Sequence, residues 1–123
     1  MGEASQVVGD LFARLAARDL EGARGLWADG AVYHVTGSHA GAGDRGPDDY
    51  LALLAEWFHH YPDYAVDGFR MTAYDDEVVV AHLVTRGGPA PGKASGLMVF
   101  RVERGLVTEG WGIPTFAGGA LPF

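Results

Sequence analysis

Val99-Phe100-Arg101-Val102-Glu103-Arg104-Gly105-Leu106-Val107-Thr108-Glu109-Gly110-Trp111 is the stretch whose reading decides the fold. Charged and apolar residues alternate up to Arg104-Gly105, a pair suited to a tight two-residue turn, and a second β-type run follows. The two arms extend over 96–103 and 106–113. Arg101 and Glu103 belong in water, so Met98, Phe100 and Val102 face the interior. Upstream, 77–86 reads as another strand. Its Val78-Val79-Val80-Ala81-His82-Leu83-Val84 run is that of a strand buried on both faces. Asp75-Asp76 turns the chain back to a strand over 64–74. A Gly/Pro-rich loop occupies 87–95. The last ten residues, 114–123, are apolar for a chain end, and are expected to fold over a pocket mouth or dock on a second subunit.

The N-terminal half carries a different period. Val7, Val8, Leu11, Phe12, Leu15 and Ala16 recur at helical spacing, which predicts a helix over about 3–17. Asp19 is placed to cap a second, short helix whose apolar positions are Leu20, Ala23, Leu26 and Trp27. Asp29-Gly30 breaks that pattern, and 31–36 is a short β-type run. Four glycines mark 37–46 as a loop with room for a brief strand. Gly46-Pro47-Asp48-Asp49 starts a third helix: proline suits the first turn, and the acids suit the positive end of the helix dipole. Pro62 stops it. Three N-terminal helices beside an antiparallel meander predict an α+β two-layer fold, a curved sheet wrapped into a cone with a pocket at its open end.

Composition narrows the function. One domain over 1–123 is the expectation for 123 residues, of which 48% are hydrophobic. With no cysteine, disulfides and thiolate chemistry are excluded. A net charge of −7 argues against a nucleic-acid partner. No apolar run approaches the roughly 20 residues that span a bilayer, and the N-terminus lacks the features of a secretory signal, so no membrane partner and a cytoplasmic location are expected.

Three segments carry a family likeness. Arg18-Asp19-Leu20-Glu21-Gly22-Ala23 through Leu26-Trp27-Ala28-Asp29-Gly30-Ala31-Val32-Tyr33-His34-Val35-Thr36-Gly37 comes first. Ala40-Gly41 and Arg45-Gly46 lead into the third helix, and the Val99–Trp111 hairpin closes the chain. In this order they resemble the SnoaL-like and ketosteroid-isomerase-like branch of the nuclear transport factor 2-like superfamily. The resemblance implies that cone-shaped fold, a curved mixed or antiparallel sheet, cofactor-independent chemistry and a homodimer formed through the outer sheet face. The superfamily holds isomerases, cyclases, hydrolases, dehydratases and non-catalytic proteins, so chemistry must be argued from side chains.

Isomerase-like relatives place a carboxylate near the end of the first strand and an oxyanion-holding acid on a later one. Here Tyr33-His34-Val35 stands at the first place and Met98 at the second, and methionine donates no hydrogen bond. The steroid-isomerase machinery is therefore absent. His34, with a pKa near neutrality, is the candidate proton carrier. Its facing is open: either Ala31, Tyr33 and Val35 point inward, or Val32, His34 and Thr36 do. His82 is the second candidate, although a histidine within an apolar strand also serves as a hydrogen-bonded core residue. Tyr33 or Tyr61 would donate to a substrate carbonyl. Trp27, Tyr50, Trp57, Phe58, Tyr61, Met98, Phe100 and Trp111 are candidates to line an apolar cleft, and several must simply pack. His39, His59 and His60 form no set at ligand spacing, so no metal is expected. Glu109 is expected outside the sheet and Asp67 at an edge.

The function so indicated is that of a small enzyme of secondary metabolism. It would isomerise, cyclise or dehydrate a hydrophobic polyketide-like or terpenoid-like substrate, by acid–base chemistry or by shape. The alternatives are a non-catalytic binder of hydrophobic ligands on the same scaffold and a protein-interaction module with an exposed apolar sheet face.

Overall fold

The computed structural model describes residues 3–35, 43–74, 76–87 and 93–113. Along the chain run α1 (Glu3–Ala16), α2 (Leu20–Arg24), β1 (Trp27–Val35), β2 (Gly43–Arg45), α3 (Pro47–His60), β3 (Ala65–Tyr74), β4 (Val78–Arg86), β5 (Lys93–Glu103) and β6 (Leu106–Ile113). The strands form one sheet in the order β2-β1-β6-β5-β4-β3. All neighbours are antiparallel except β1 and β6, which run parallel. This is the α+β architecture that the residue pattern predicts; the parallel β1–β6 pair makes the sheet mixed, one of the two forms that the family resemblance implies, where the pattern alone pointed to an antiparallel meander. Among the described residues, no helix is long and apolar enough to cross a membrane.

The strongest local signals set the elements. Arg104 (φ 54°) and Gly105 (φ 77°) both take positive φ, as the hairpin turn between β5 and β6 requires. The Asp19 carboxylate accepts a hydrogen bond from the Gly22 amide at the start of α2, a cap worth about 1 kcal/mol. Pro47 opens α3 with Asp48 and Asp49 in its first turn. Those two acids tie the helix to its surroundings: Arg24 donates to Asp48 and Arg45 to Asp49.

Helices cover one face of the sheet. α1 packs across β3 to β6, while α3 lies against β1. Between the layers Val8, Leu11, Phe12, Val79, Phe100 and Val107 are almost completely removed from water. Burial stabilises by roughly 1.5–3 kcal/mol for each large apolar side chain. Phe100 and Val102 are buried and Met98 half-buried on this inner face, as the alternation in 96–103 predicts.

Two sequence expectations are corrected. The Val-rich run of β4 is covered on one face only. Val79, Ala81, Leu83 and Thr85 are buried, whereas Val78, Val80 and Val84 are half-buried and His82 is exposed. A continuous apolar run fits a strand covered on both faces, but among the described residues no helix lies across the outer row. Trp27 is the first residue of β1 and not part of α2. The Ala23 carbonyl accepts from the Leu26 amide, which closes the helical turn, and the Leu26 carbonyl already pairs with the Val107 amide of β6. The register between β1 and β6 slips between Trp27 and Val32, so Asp29-Gly30 marks an irregularity within a strand. Thr36, His39 and the tail 114–123 lie outside the described residues.

Candidate functional site

The phase of β1 decides what the interior contains. Ala31 and Tyr33 are buried, and Tyr33 pairs across β6 with Gly110. A side chain at Gly110 or Gly112 would strike the Tyr33 ring or its hydroxyl. Two glycines in the inner row of β6 therefore make the slot that Tyr33 fills. The ring stacks on Tyr50 of α3, with centroids 4.0 Å apart and planes at 21°. Trp27 lies against both tyrosines and Phe100. Its indole N–H has no hydrogen-bond partner among the described residues.

Beside this aromatic wall a cavity of about 610 Å³ opens between α1, α3 and the sheet. Phe12, Tyr50 and Leu83 form its buried floor, and Leu15, Leu54, Phe58, Val66 and Met98 its half-buried walls. Arg18, Pro62, Asp63 and Arg86 are exposed and mark its mouth.

Hydroxyls supply the polar contacts at depth. Tyr50 and Tyr64 line the cavity. The Tyr50 hydroxyl is hydrogen-bonded to that of Tyr33, and the Tyr64 hydroxyl to Thr85. Burial pushes the pKa of Tyr33, Tyr50 and Tyr64 above the ordinary phenol value, because an ionised phenolate would lose its hydration. All three are neutral at physiological pH. Each of these hydroxyls can donate one hydrogen bond and accept others, so Tyr50 and Tyr64 bring both kinds of polar capacity to the cavity lining. The carboxylate lining the cavity, among the described residues, is that of Asp63 at the mouth.

The α3–β3 connection that carries Pro62, Asp63 and Tyr64 is held from two sides. From the turn after α1, Arg18 donates to the carbonyls of Phe58, Pro62 and Tyr64 at 3.5, 2.9 and 2.7 Å. Just after β4, Gly87 packs so tightly on the Asp63 carbonyl that an added Cβ would clash, and its φ of +76° lies in the left-handed region that favours glycine.

Both histidines put forward as proton carriers lie away from this cavity. His34 and His82 are on the outer sheet face, because Tyr33 and Ala81 occupy the inner row. His34 is bound there between two acids: Nδ1 is 2.6 Å from Asp44 of β2 and Nε2 is 2.7 Å from Glu109 of β6. Hydrogen bonds to Glu109 first and Asp44 second raise its pKa. Arg101 donates to the other oxygen of Glu109, and Trp111 stacks on the His34 ring at 5.3 Å. Glu109 is thus on the outside, as expected, and Asp67 sits on the edge strand β3, paired with Arg86. His82 is paired in register with Arg70 of β3.

Of the residues proposed to line the cleft, Tyr50, Phe58 and Met98 do so. Trp27 and Phe100 are buried in the neighbouring core. Trp57 and Tyr61 pack on each other at 4.8 Å, with Tyr64 against Trp57. Trp111 belongs to the outer face. Sequence reasoning missed Arg18, Asp63, Tyr64 and Thr85. The Gly110-x-Gly112 spacing was the available signal for Tyr33, since two small residues in one strand row invite a large ring from the neighbouring strand. Among the described residues, no group of three or more histidines and acids is gathered as for a metal ion.

Solved structures share this fold. IdmH from Streptomyces antibioticus, a proposed polyketide cyclase, is 24% identical; the match covers 89% of this chain and 90% of that one, with a TM-score of 0.77. A proposed polyketide cyclase from Xanthomonas campestris pv. campestris is 16% identical over 92% of this chain and 90% of that one, TM-score 0.77. A Xanthomonas campestris protein of unknown function with a cystatin-like fold is 15% identical over 97% and 95%, TM-score 0.82. At these identities the likeness is one of fold. No curated protein sequence matches the chain. The SnoaL-like domain model matches residues 8–110, and the chain belongs to that family.

Proposed function

We propose that this protein takes a small, largely apolar, carbonyl-bearing molecule of the polyketide type into the cavity beneath α1 and α3, and promotes its cyclisation or isomerisation there. The observation that carries the reading is the pair of neutral phenols, Tyr50 and Tyr64, facing one apolar cavity. Two O–H donors at depth suit a carbonyl oxygen whose negative charge grows as an enolate forms. Asp63 is the group able to take a proton at the mouth. The apolar walls would hold a flexible chain in a reactive conformation, which by itself lowers a barrier. Family membership and the fold shared with two proposed polyketide cyclases support this class of substrate.

Two bicyclic probes test it. α-Tetralone carries a carbonyl, and tetralin is the same skeleton without one. Displacement of bound N-phenylnaphthylamine should show α-tetralone binding about tenfold more tightly, in line with the ~1.4 kcal/mol of one good hydrogen bond. Tyr50→Phe or Tyr64→Phe should erase most of that margin. Equal affinities in the unmodified protein would sink the carbonyl assignment.

The second reading, a ligand-binding protein without catalysis, is favoured by one observation. The cavity's acid–base group lies at the mouth, and the two candidate proton carriers, His34 and His82, stand on the other face of the sheet. Substrate-type ketones that bind but are returned unchanged, with Asp63→Asn making no difference, would select it. As its protein partner we propose a second copy seated on the outer face, where Val80, Val84, Leu97 and Val99 stand half-buried. Sedimentation should then report a dimer that Val99→Glu dissociates.

A further inference from the structure

Arg18 stands where a helix end favours glycine or asparagine. Its φ is +60°, in the left-handed region that costs a side-chain-bearing residue roughly 1 kcal/mol. The position is set at the end of α1, just before the Asp19 cap of α2. From there the side chain reaches across the cavity mouth, its guanidinium 4.4 Å from the Phe58 ring centre. Three backbone carbonyls accept from its Nη1 and Nη2 atoms. They fix the group without neutralising it, because a carbonyl carries no net charge. Nε–H has no partner among the described residues. Among the described residues lining the cavity, Arg86 is the second cation and Asp63 the acid; Arg86 is engaged with Asp67. An oriented, unneutralised guanidinium therefore lies beside an apolar void.

We propose that the mouth of the cavity is an anion subsite in which Arg18 receives the acidic group of an amphipathic ligand, such as a carboxylate, while its apolar body fills the space lined by Phe12, Leu54 and Phe58. This rests on the cavity reading above and refines it. The occupant is an organic acid entering body first, its carbonyl toward Tyr50 and its anionic end at Arg18. Arg18 acts here in binding and orientation. Asp63 opposes the anion, so its charge sets how selective the mouth is. A chain of net charge −7 repels anions over most of its surface, which makes a local cation the means of admitting one.

Two fluorescent probes separate the ideas. Anilinonaphthalene sulfonate and N-phenylnaphthylamine share one aromatic body, and only the first is an anion. The expected result is a sulfonate affinity about five- to tenfold above that of the neutral probe, shrinking as salt is added. Arg18→Gln keeps side-chain N–H donors for the carbonyls but removes the charge, and should abolish the margin. Asp63→Asn should widen it by about threefold while moving the neutral probe less than twofold. Leu54→Trp, which fills the cavity, identifies the signal that comes from it. A sulfonate margin that is absent in the unmodified protein, or that survives Arg18→Gln with no response to Asp63→Asn, overturns the subsite. Should neither probe enter the cavity, the cavity reading fails first, and a neutral probe that binds without sulfonate preference leaves that reading intact.

Discussion

The ring of Tyr33 occupies the space that a side chain at position 112 would need, and its hydroxyl meets the place of the missing Cβ. That relationship fixes the phase of β1, and the phase fixes which chemistry faces inward. It puts a tyrosine inside and a histidine outside.

The first prediction tests this packing directly. Gly112→Ala should cost about 1–3 kcal/mol, because a buried ring must move within a filled core. Gly110→Ala should cost a similar amount, with the Tyr33 ring 2.7 Å from the added atom. Gly30→Ala is the control: nothing lies within 4 Å of its Cβ position. Urea denaturation midpoints of the three variants give the comparison, and a Gly112→Ala as stable as Gly30→Ala would contradict the assigned phase.

The outer-face histidine should make stability depend on pH. The His34 pKa is raised above 6.5 by Glu109 and Asp44. Arg101, through Glu109, and the stacked Trp111 are its other neighbours on that face. A raised pKa means that the folded state holds the proton more firmly than the unfolded chain. Its contribution is thus complete below about pH 6.5 and is lost as pH rises through the raised value. Denaturation measured across this range should show stability falling on the alkaline side, and His34→Gln should remove that slope.

The buried phenols predict a late alkaline transition. Tyr33, Tyr50 and Tyr64 all have pKa values raised above 10.0 by burial. Below pH 10 they contribute their full stability, and above it the unfolded state, which ionises first, gains. Ultraviolet titration should find three tyrosines that resist ionisation until the protein unfolds. Tyr64→Phe should lower the number of resistant groups by one.

The mouth should prove sensitive at a glycine that brings no side chain to it. Gly87→Ala forces a Cβ onto the Asp63 carbonyl in a left-handed conformation. The expected loss is about 1–3 kcal/mol of stability. Probe affinity should fall by more than that of Gly46→Ala, whose Cβ position is open. Thermal melts and a probe titration on both variants check it.

Much of the fold was legible because its strongest signals are local. The Arg104-Gly105 turn, the Asp19 cap and the Pro47 start each depend on a few neighbouring residues, and they bound most of the elements. The alternation of Arg101 and Glu103 with Phe100 and Val102 phased β5 without further help. β4 was harder. Its valines on the outer face look like those on the inner face, so the row holding His82 could be known only from where the helices lie. β1 has an aromatic ring in either row, Tyr33 in one and His34 in the other, and its phase depends on Gly110 and Gly112, 77 and 79 residues beyond Tyr33. Arg18 and Asp63 carry no local mark at all. They meet at the cavity because the end of α1 comes to rest against the α3–β3 connection.

The central claim is that the ligand enters the cavity beneath α1 and α3, not the histidine-bearing outer face. Titrating the fluorescence of N-phenylnaphthylamine against the unmodified protein, Leu54→Trp and His34→Gln tests it most directly. The predicted result is one saturable site, weakened at least about tenfold by Leu54→Trp and left within about twofold by His34→Gln. Binding that ignores Leu54→Trp and disappears with His34→Gln would contradict it.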